Sequence, residues 1–162
     1  MRARKKWGLA MKVAEKIINQ FGGMEAFWES RSIRVNFDPF RSLLIQIADG
    51  SPNGLPAISM TQECRDNGIT RAEIQMIFEL CDLGWFPYYY KNVFDVFEGV
   101  VYKQDAEGRI LSVRHNMKRK LLEIALEWDA QLEELEYTTL SGNQYAANLF
   151  PLPFFMTLSP AP

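Results

Sequence analysis

The sequence predicts an α+β fold: an antiparallel sheet of five to six strands with N-terminal and C-terminal helices packed on one face. An apolar stripe with helical spacing opens the chain and another closes it. Between them lie short segments that alternate in polarity or are rich in aromatic and β-branched residues. The connections between these segments are short, which favours antiparallel pairing. We expect one α+β domain over residues 1–137, followed by an extended, proline-rich apolar tail over residues 138–162.

The first helix is predicted from Trp7 to Phe21, where apolar residues recur at steps of three and four. Gly22 and Gly23 should end it, because glycine readily takes the left-handed conformation of a helix stop. Residues 24–28 are predicted to add one further turn. The helix therefore offers one apolar face to the sheet.

Three strands are predicted next, over residues 32–37, 43–48 and 57–62, with a loop over residues 64–68. Residues 71–83 are ambiguous, because Thr70 and Glu73 could form the capping box of a helix. Seven of eight positions in this segment nevertheless follow a period of two, and this alternation favours a strand.

Residues 85–91 and 94–103 have the aromatic and β-branched content of strands. The tight connection 105–108 leads into a further strand over 109–113, so a hairpin is expected there. A long helix is predicted from Asn116 to Tyr137, with an apolar stripe that includes Trp128.

Composition limits the classes of protein that the chain can represent. Its 162 residues, net charge of −2 and 48% hydrophobic content fit one soluble domain. No apolar stretch approaches the roughly 20 residues of a membrane helix. The basic run at residues 2–6 lacks the apolar core of a secretory signal. We therefore expect a cytoplasmic protein with no membrane segment.

Several short motifs resemble those of a small uncharacterised family, carried mostly on plasmids and integrative elements of gut bacteria, that has no established activity. The resemblance covers roughly residues 30–137. The motifs are Leu43-Leu44-Ile45, Pro56-Ala57-Ile58-Ser59, Asn67-Gly68 before Glu73-Ile74-Gln75-Met76, Trp85-Phe86-Pro87, the acidic hairpin ending at Gly108, and the final helix with Trp128 and Leu132. This chain departs from the family by having Met60-Thr61 in place of a His-Tyr pair and Arg71-Ala72-Glu73 in place of Asp-Pro-Glu. The resemblance supports the strand over 73–81 and implies a mobile-element setting, but it supplies no catalytic residue.

The sequence offers no recognisable catalytic or metal-binding constellation. His115 is the only histidine, and no nucleophile is placed beside it by a motif. Cys64 and Cys81 lack the C-x-x-C spacing of zinc sites. The carboxylates of residues 95, 98, 105 and 107 could in principle hold Mg²⁺, but the solvent face of a hairpin explains them more simply. We predict no enzyme activity and no cofactor.

Charge is strongly segregated along the chain. Residues 1–20 carry six basic side chains and one acidic one, whereas residues 123–136 carry six acidic side chains and no basic one. Both arrangements oppose the helix dipole, at a cost of about 0.3–1 kcal/mol per exposed charge. Antiparallel packing of the two terminal helices would offset both costs, so the basic start is expected beside the acidic end, with Lys5 or Lys6 near Glu133 or Glu134.

Two kinds of binding follow from these features. The first prediction is a non-catalytic accessory factor of a mobile element that binds another protein. Its candidate partner-binding residues are Glu127, Glu133, Glu134, Glu136, Phe154 and Phe155. The alternative is a nucleic-acid-binding module, for which the candidates are Arg114, Lys118, Arg119, Lys120 and Tyr89. A homodimer formed through the apolar tail is a further arrangement left open by the sequence.

Overall fold

The computed structural model describes residues 11–135. Its helices are α1 (Lys12–Phe21), α2 (Met24–Ser30) and α3 (His115–Glu134). Its strands are β1 (Ser32–Asn36), β2 (Arg41–Ala48), β3 (Ala57–Asp66), β4 (Ile69–Cys81), β5 (Gly84–Asn92), β6 (Phe97–Val100), β7 (Tyr102–Gln104) and β8 (Ile110–Val113). The predicted α+β class is confirmed. The predicted C-terminal tail lies outside the described residues.

Strands β1 to β6 form one antiparallel sheet in sequence order, and β7 pairs with β8 in a separate hairpin. The topology of the six-stranded sheet is a meander, because each of its strands pairs with the next one along the chain. The ambiguous segment 71–83 lies mostly in β4, so the period-two reading is confirmed. Short connections produced antiparallel neighbours, as the sequence predicted.

The loop predicted over residues 64–68 is wrong. Strand β3 continues through Cys64 and pairs with β4 as far as the hairpin tip. Asn67 and Gly68 alone make the turn, with φ angles of 51° and 77°. Asparagine and glycine tolerate these left-handed conformations, and such a pair forms the tight turns of hairpins. The two-residue turn leaves Cys64 free to remain in the ladder.

The single strand predicted over residues 94–103 is also wrong. Residues 97–100 pair with β5 in the main sheet, whereas residues 102–104 pair with β8. Val101 lies buried between the two strands. Its amide donates to the carbonyl oxygen of Tyr88, and its carbonyl oxygen accepts from the amide of Arg114. The chain thus changes partners at one residue, which alternation in sequence does not reveal.

One face of the sheet is apolar and carries the helices. Ile33, Ile45, Met60, Met76 and Tyr90 occupy paired positions on five adjacent strands and are all buried. The helices complete this core with Ile17 of α1, Phe27 of α2, and Leu121, Ala125 and Leu132 of α3. The core therefore lies between the sheet and all three helices.

Helix bounds differ modestly from the sequence prediction. Residues 7–10 of the predicted first helix lie outside the described residues, and α1 ends where Gly22 takes a φ of 134°. The extra turn predicted over 24–28 is a seven-residue helix, α2. The last helix begins at His115 and ends before Leu135, whose ψ of 88° is not helical. It is therefore shorter at its end than predicted.

The start of α1 is capped by a side chain from α3. Met11 makes no side-chain cap. Instead, the carboxylate of Asp129 accepts hydrogen bonds from the amides of Lys12 and Val13, at 3.2 and 3.1 Å. The acidic half of α3 therefore meets the positive end of α1, in the sense that the segregated charges predict. The predicted proximity of Lys5 or Lys6 to Glu133 or Glu134 involves lysines outside the described residues.

Candidate functional site

The acidic candidate partner-binding residues of α3 are exposed to solvent. Glu127, Glu133 and Glu134 are exposed, as is Glu123 one turn earlier. None of the four forms an ion pair with another residue of the range 11–135. We call these four glutamates the acidic face. The other partner-binding candidates, Glu136, Phe154 and Phe155, lie outside the described residues.

The basic candidates gather at the start of α3. Arg114, Arg119 and Lys120 are exposed, and Lys118 is half-buried. Two of the ammonium groups lie over aromatic rings of the sheet: Lys118 Nζ is 5.3 Å from the ring centre of Phe86, and Lys120 Nζ is 4.2 Å from that of Phe97. Cations within about 6 Å of a ring face are attracted to it. These two lysines are therefore partly committed to contacts within the chain.

Tyr89 lies on the face of the sheet away from Tyr90 and is engaged there by a carboxylate. Its neighbour Tyr90 points into the core on the helix-bearing face, and successive strand residues point to opposite faces. The hydroxyl of Tyr89 donates to Glu98 Oε1 at 3.0 Å. Burial, and then this carboxylate, raise the pKa of Tyr89 to about 12. The hydroxyl of Tyr89 is therefore engaged by a carboxylate, whereas the nucleic-acid prediction groups this tyrosine with cations.

A groove lies between α3 and strands β4 to β6, with a volume of about 400 Å³. Its apolar lining consists of Ile74, Tyr90 and Phe97 from the sheet, and Ile124 and Trp128 from α3. Its polar lining consists of Asn92, Asp95, Lys120, Glu127 and Gln131. Ligand pockets typically measure about 300–1,000 Å³ and combine apolar walls with a few polar groups. The groove has this character, and it contains one candidate from each predicted binding mode, Glu127 and Lys120.

Asn92 organises the sheet side of the groove. Its side-chain amide donates to the Tyr90 hydroxyl at 2.9 Å and to Asp95 Oδ2 at 3.2 Å. Its oxygen accepts from the backbone amides of Phe94 and Asp95. This pattern of contacts from an asparagine side chain to the residues that follow it is typical of turns. Asn92 thus fixes both the tyrosine in the floor of the groove and the aspartate at its rim.

The turn that Asn92 holds is apolar and exposed. Val93, Phe94 and Val96 leave 48%, 66% and 91% of their surfaces in water. Val96 also has a φ of 49°, and a β-branched residue in this region is a genuine outlier. Such a conformation costs about 1–3 kcal/mol. We call residues 93–96 the apolar turn. Because Asp95 belongs to this turn and lines the groove, the apolar turn lies at the edge of the groove.

The helix side of the groove is held by Trp128. Its indole Nε1 donates to Gln62 Oε1 at 3.1 Å, and Gln62 Nε2 in turn donates to Glu73 Oε2 at 3.2 Å. The tryptophan is 3% exposed. Its polar atom is therefore satisfied by β3, and its ring forms a fixed wall.

Sequence reasoning did not single out Asn92, Phe97 or Gln131 as parts of a site. Only Asn92 carried a usable signal, because asparagine favours turns, where its side chain bonds to the backbone of the residues that follow. Phe97 and Gln131 come together only through the packing of α3 on β6. Their meeting could not be inferred from spacing along the chain.

A second polar cluster lies beside β7. The buried carboxylate of Glu79 accepts hydrogen bonds from the Tyr102 hydroxyl and from Asn53 Nδ2. Burial, and then this carboxylate, raise the pKa of Tyr102, while burial raises the pKa of Tyr88 to about 12. These bonds tie the connection between β2 and β3 to the β7–β8 hairpin. The cluster therefore explains how two distant parts of the chain are fastened together.

The face of the sheet away from the helices carries a buried ion pair. Arg34 Nη2 lies 3.1 Å from Glu63 Oε1. Burial raises the pKa of Glu63, although the neighbouring guanidinium acts in the opposite direction. Burying one charge of such a pair is tolerated because the other is present. The pair joins β1 to β3 across β2.

The described residues, 11–135, include one histidine and two cysteines. No group of three or more histidine, cysteine, aspartate or glutamate side chains in that range is arranged to hold a metal ion. None of the helices there has the length and apolar character to cross a membrane. His115 is exposed at the first position of α3.

The elements together define a two-layer α+β domain with an aromatic groove along its last helix. This architecture spans residues that a family model also covers. The chain belongs to the family described as Domain of unknown function (DUF6908), whose model matches residues 12–138. The search of curated proteins and the search of solved structures found no match to the chain.

Proposed function

We propose that the protein is a non-catalytic interaction protein whose acidic face binds a protein partner. The observation that carries the proposal is the exposure of Glu123, Glu127, Glu133 and Glu134 without an ion pair among residues 11–135. Clustered charge of one sign steers an oppositely charged partner during association. The partner is therefore expected to present a basic surface.

The energetics of α3 support this proposal. Its last turn contains no basic residue, and Glu133 and Glu134 lie at its negative end. Each such charge costs about 0.3–1 kcal/mol relative to a neutral residue. Among the acidic residues of α3, Asp129 alone bonds to another element within residues 11–135, as the cap of α1. A basic partner would offset the cost of the others.

Apolar surface next to these charges also supports a protein partner. Leu126 on α3 is 56% exposed, and the apolar turn lies beside the groove. Protein interfaces commonly combine an apolar centre with a polar or charged rim. The apolar turn and Leu126 can supply apolar contact, while the acidic face supplies charge.

Partner capture tests the proposal. The tagged full chain would be compared with the triple variant Glu127→Gln, Glu133→Gln, Glu134→Gln in nuclease-treated lysate of the host. A matched control, Glu25→Gln, Glu29→Gln, Asp82→Asn, removes the same charge from exposed positions elsewhere. We expect a protein retained by the wild type and the control and lost from the triple variant. Equal capture by all three chains, or capture by none, would contradict the proposal.

Nucleic-acid binding is the second candidate function, favoured by the exposed Arg114 and Arg119 at the start of α3. Helix N-termini attract phosphate through their free amides and dipole. The hydrogen bond from the Tyr89 hydroxyl to the Glu98 carboxylate weighs against it. A mobility-shift assay with short single and double strands tests this function. Binding at low salt that is lost in Arg114→Gln, Arg119→Gln would support it, and no shift at low salt would remove it.

The proposal includes a cytoplasmic role as an accessory factor of a mobile element, with no enzyme activity. It is supported by the resemblance of the sequence motifs to a family found on such elements. The gene's neighbourhood tests the setting. Adjacent genes for conjugation or integration are expected, and a neighbourhood of housekeeping genes alone would contradict it.

A further inference from the structure

We propose that the groove between α3 and strands β4 to β6 receives a cationic side chain, arginine or lysine, from the protein partner. This inference deepens the proposed function and rests on it, because it assigns the groove as the place where the basic partner is anchored. The rings, the carboxylates and the lysine that line the groove support it.

The rings of the groove already bind a cation. The ammonium of Lys120 lies 4.2 Å from the ring centre of Phe97. The ring of Tyr90 is 5.9 Å from that of Phe97, at an angle of 45°. Aromatic faces of this kind attract ammonium and guanidinium groups. The contact of Lys120 shows that this part of the groove suits a positive charge.

Two carboxylates add charge complementarity. Asp95 belongs to the apolar turn and Glu127 to α3, and both are exposed residues of the groove lining. The two negative charges of Asp95 and Glu127 exceed the single positive charge of Lys120 in the groove lining. Glu123, one helical turn from Glu127, adds a further negative charge nearby. A planar guanidinium can stack on a ring while it donates hydrogen bonds to carboxylates. The groove therefore offers an arginine both of the interactions that it makes well.

Lys120 would act as an internal competitor for this position. Lys120 is exposed, and because lysine has a flexible four-carbon stem, an incoming cation can displace its ammonium group from Phe97. Removal of Lys120 should then strengthen binding of a basic ligand. A phosphate-binding groove would behave in the opposite way, because Lys120 would contribute to the affinity. One substitution thus separates the two ligand classes by the sign of its effect.

The experiment uses the ¹⁵N-labelled full chain and two blocked tripeptides, acetyl-leucyl-arginyl-leucinamide and its glutamine counterpart, titrated to millimolar concentration. Binding would be followed by the shifts of the Trp128 indole and of the Asn92 and Gln131 side-chain amides. We expect the arginine peptide to shift these signals and the glutamine peptide to leave them in place.

Variants define the roles of the charges. Lys120→Met should tighten binding of the arginine peptide about two- to fivefold, the effect of one exposed cation–π contact. Glu127→Gln should weaken it by about the factor of five or less that one exposed ion pair supplies. Asp95→Asn should act likewise, with its amide spectrum checked because Asp95 also accepts from Asn92. Lys103→Met and Glu25→Gln, at exposed positions outside the groove lining, are matched controls expected to change nothing.

Equal shifts from the two peptides, no shift from either, or weaker binding by Lys120→Met would each overturn the assignment of the groove. Failure of the groove assignment can be distinguished from failure of the proposed function. If the peptide leaves the groove signals unchanged while the triple glutamate variant still loses its captured protein, only the groove assignment is wrong. If the wild type captures no protein, the proposed function itself is wrong, and the anchoring role falls with it.

Discussion

The capping of α1 by Asp129 provides a quantitative test of how the two terminal helices are joined. Asp129→Ala removes the acceptor of two backbone amides, those of Lys12 and Val13. Loss of a helix N-cap costs about 0.5–2 kcal/mol, and hydrogen bonds to charged groups contribute about 1.5–3 kcal/mol each. Desolvation of the carboxylate offsets part of that gain, so we expect a loss of about 2 kcal/mol, where the two ranges overlap.

Equilibrium urea unfolding, followed by tryptophan fluorescence, measures this loss. Glu133→Ala is the matched control, because it removes an exposed carboxylate from the same helix four residues further on. The slope of unfolding free energy against urea is about 1–3 kcal/mol/M for small proteins, so the midpoint of Asp129→Ala should fall by about 1 M. Amide exchange at Lys12 and Val13 should accelerate as well. A midpoint equal to that of Glu133→Ala would refute the capping role.

Three further predictions concern Trp128, Val96 and the pH dependence of stability. Trp128→Ala should lower the unfolding free energy by about 3–5 kcal/mol, with the exposed Leu126→Ala as a near-neutral control; equal effects would show that Trp128 is not core. Val96→Gly should raise the melting temperature, because it relieves a strained conformation worth about 1–3 kcal/mol; a lower melting temperature would contradict that reading. Burial raises the pKa of Asp129. The hydrogen bonds from the amides of Val13 and Lys12 lower this pKa, and the negative charge of Glu133 raises it, but burial has the largest effect. The folded chain then binds this proton more tightly than the unfolded chain. Stability from this group is therefore present below the unfolded pKa of about 3.9 and is lost as pH rises through the raised folded value. As pH rises through this range, the unfolding free energy of the wild type should fall relative to that of Asp129→Asn. A difference between the two unfolding free energies that does not change with pH would contradict the predicted direction.

Strand positions were predictable where one face of the sheet packs on the helices. Ile33 and Val35 alternate with polar residues because only one face of β1 reaches the main core. The same alternation identified β4, although Thr70 and Glu73 also fit a helix start. Ile77 broke the pattern because it lies on the other face and is itself buried. Periodicity therefore succeeds where burial is one-sided and weakens where both faces are covered.

Features that depend on strand pairing or on contacts between distant parts of the chain were not predictable. The switch at Val101 from the main sheet to the hairpin leaves the local residue types unchanged. The contact of Asp129 with Lys12 joins residues 117 positions apart. Charge segregation indicated that the ends of α1 and α3 should meet, but it did not identify the residue that makes the bond.

The candidate site was predictable only in part, for the same reason. The acidic residues of α3 stood out by their number and sign. The groove beside them required the packing of α3 against Phe97 and the turn held by Asn92. The packing of α3 arises from tertiary structure, and the turn, although held by local hydrogen bonds, lies beside α3 only because of that packing.

Hydroxyl-radical footprinting of the full chain bound to its captured partner tests the central claim most directly. The chain contains matched reporters, since Phe94 and Phe40 are 66% and 65% exposed, and Leu126 and Leu111 are 56% and 61% exposed. Partner binding on the α3 side is expected to protect Phe94 and Leu126 and to leave Phe40 and Leu111 as reactive as in the free chain. Protection of Phe40 and Leu111 with unchanged reactivity at Phe94 and Leu126 would contradict the account.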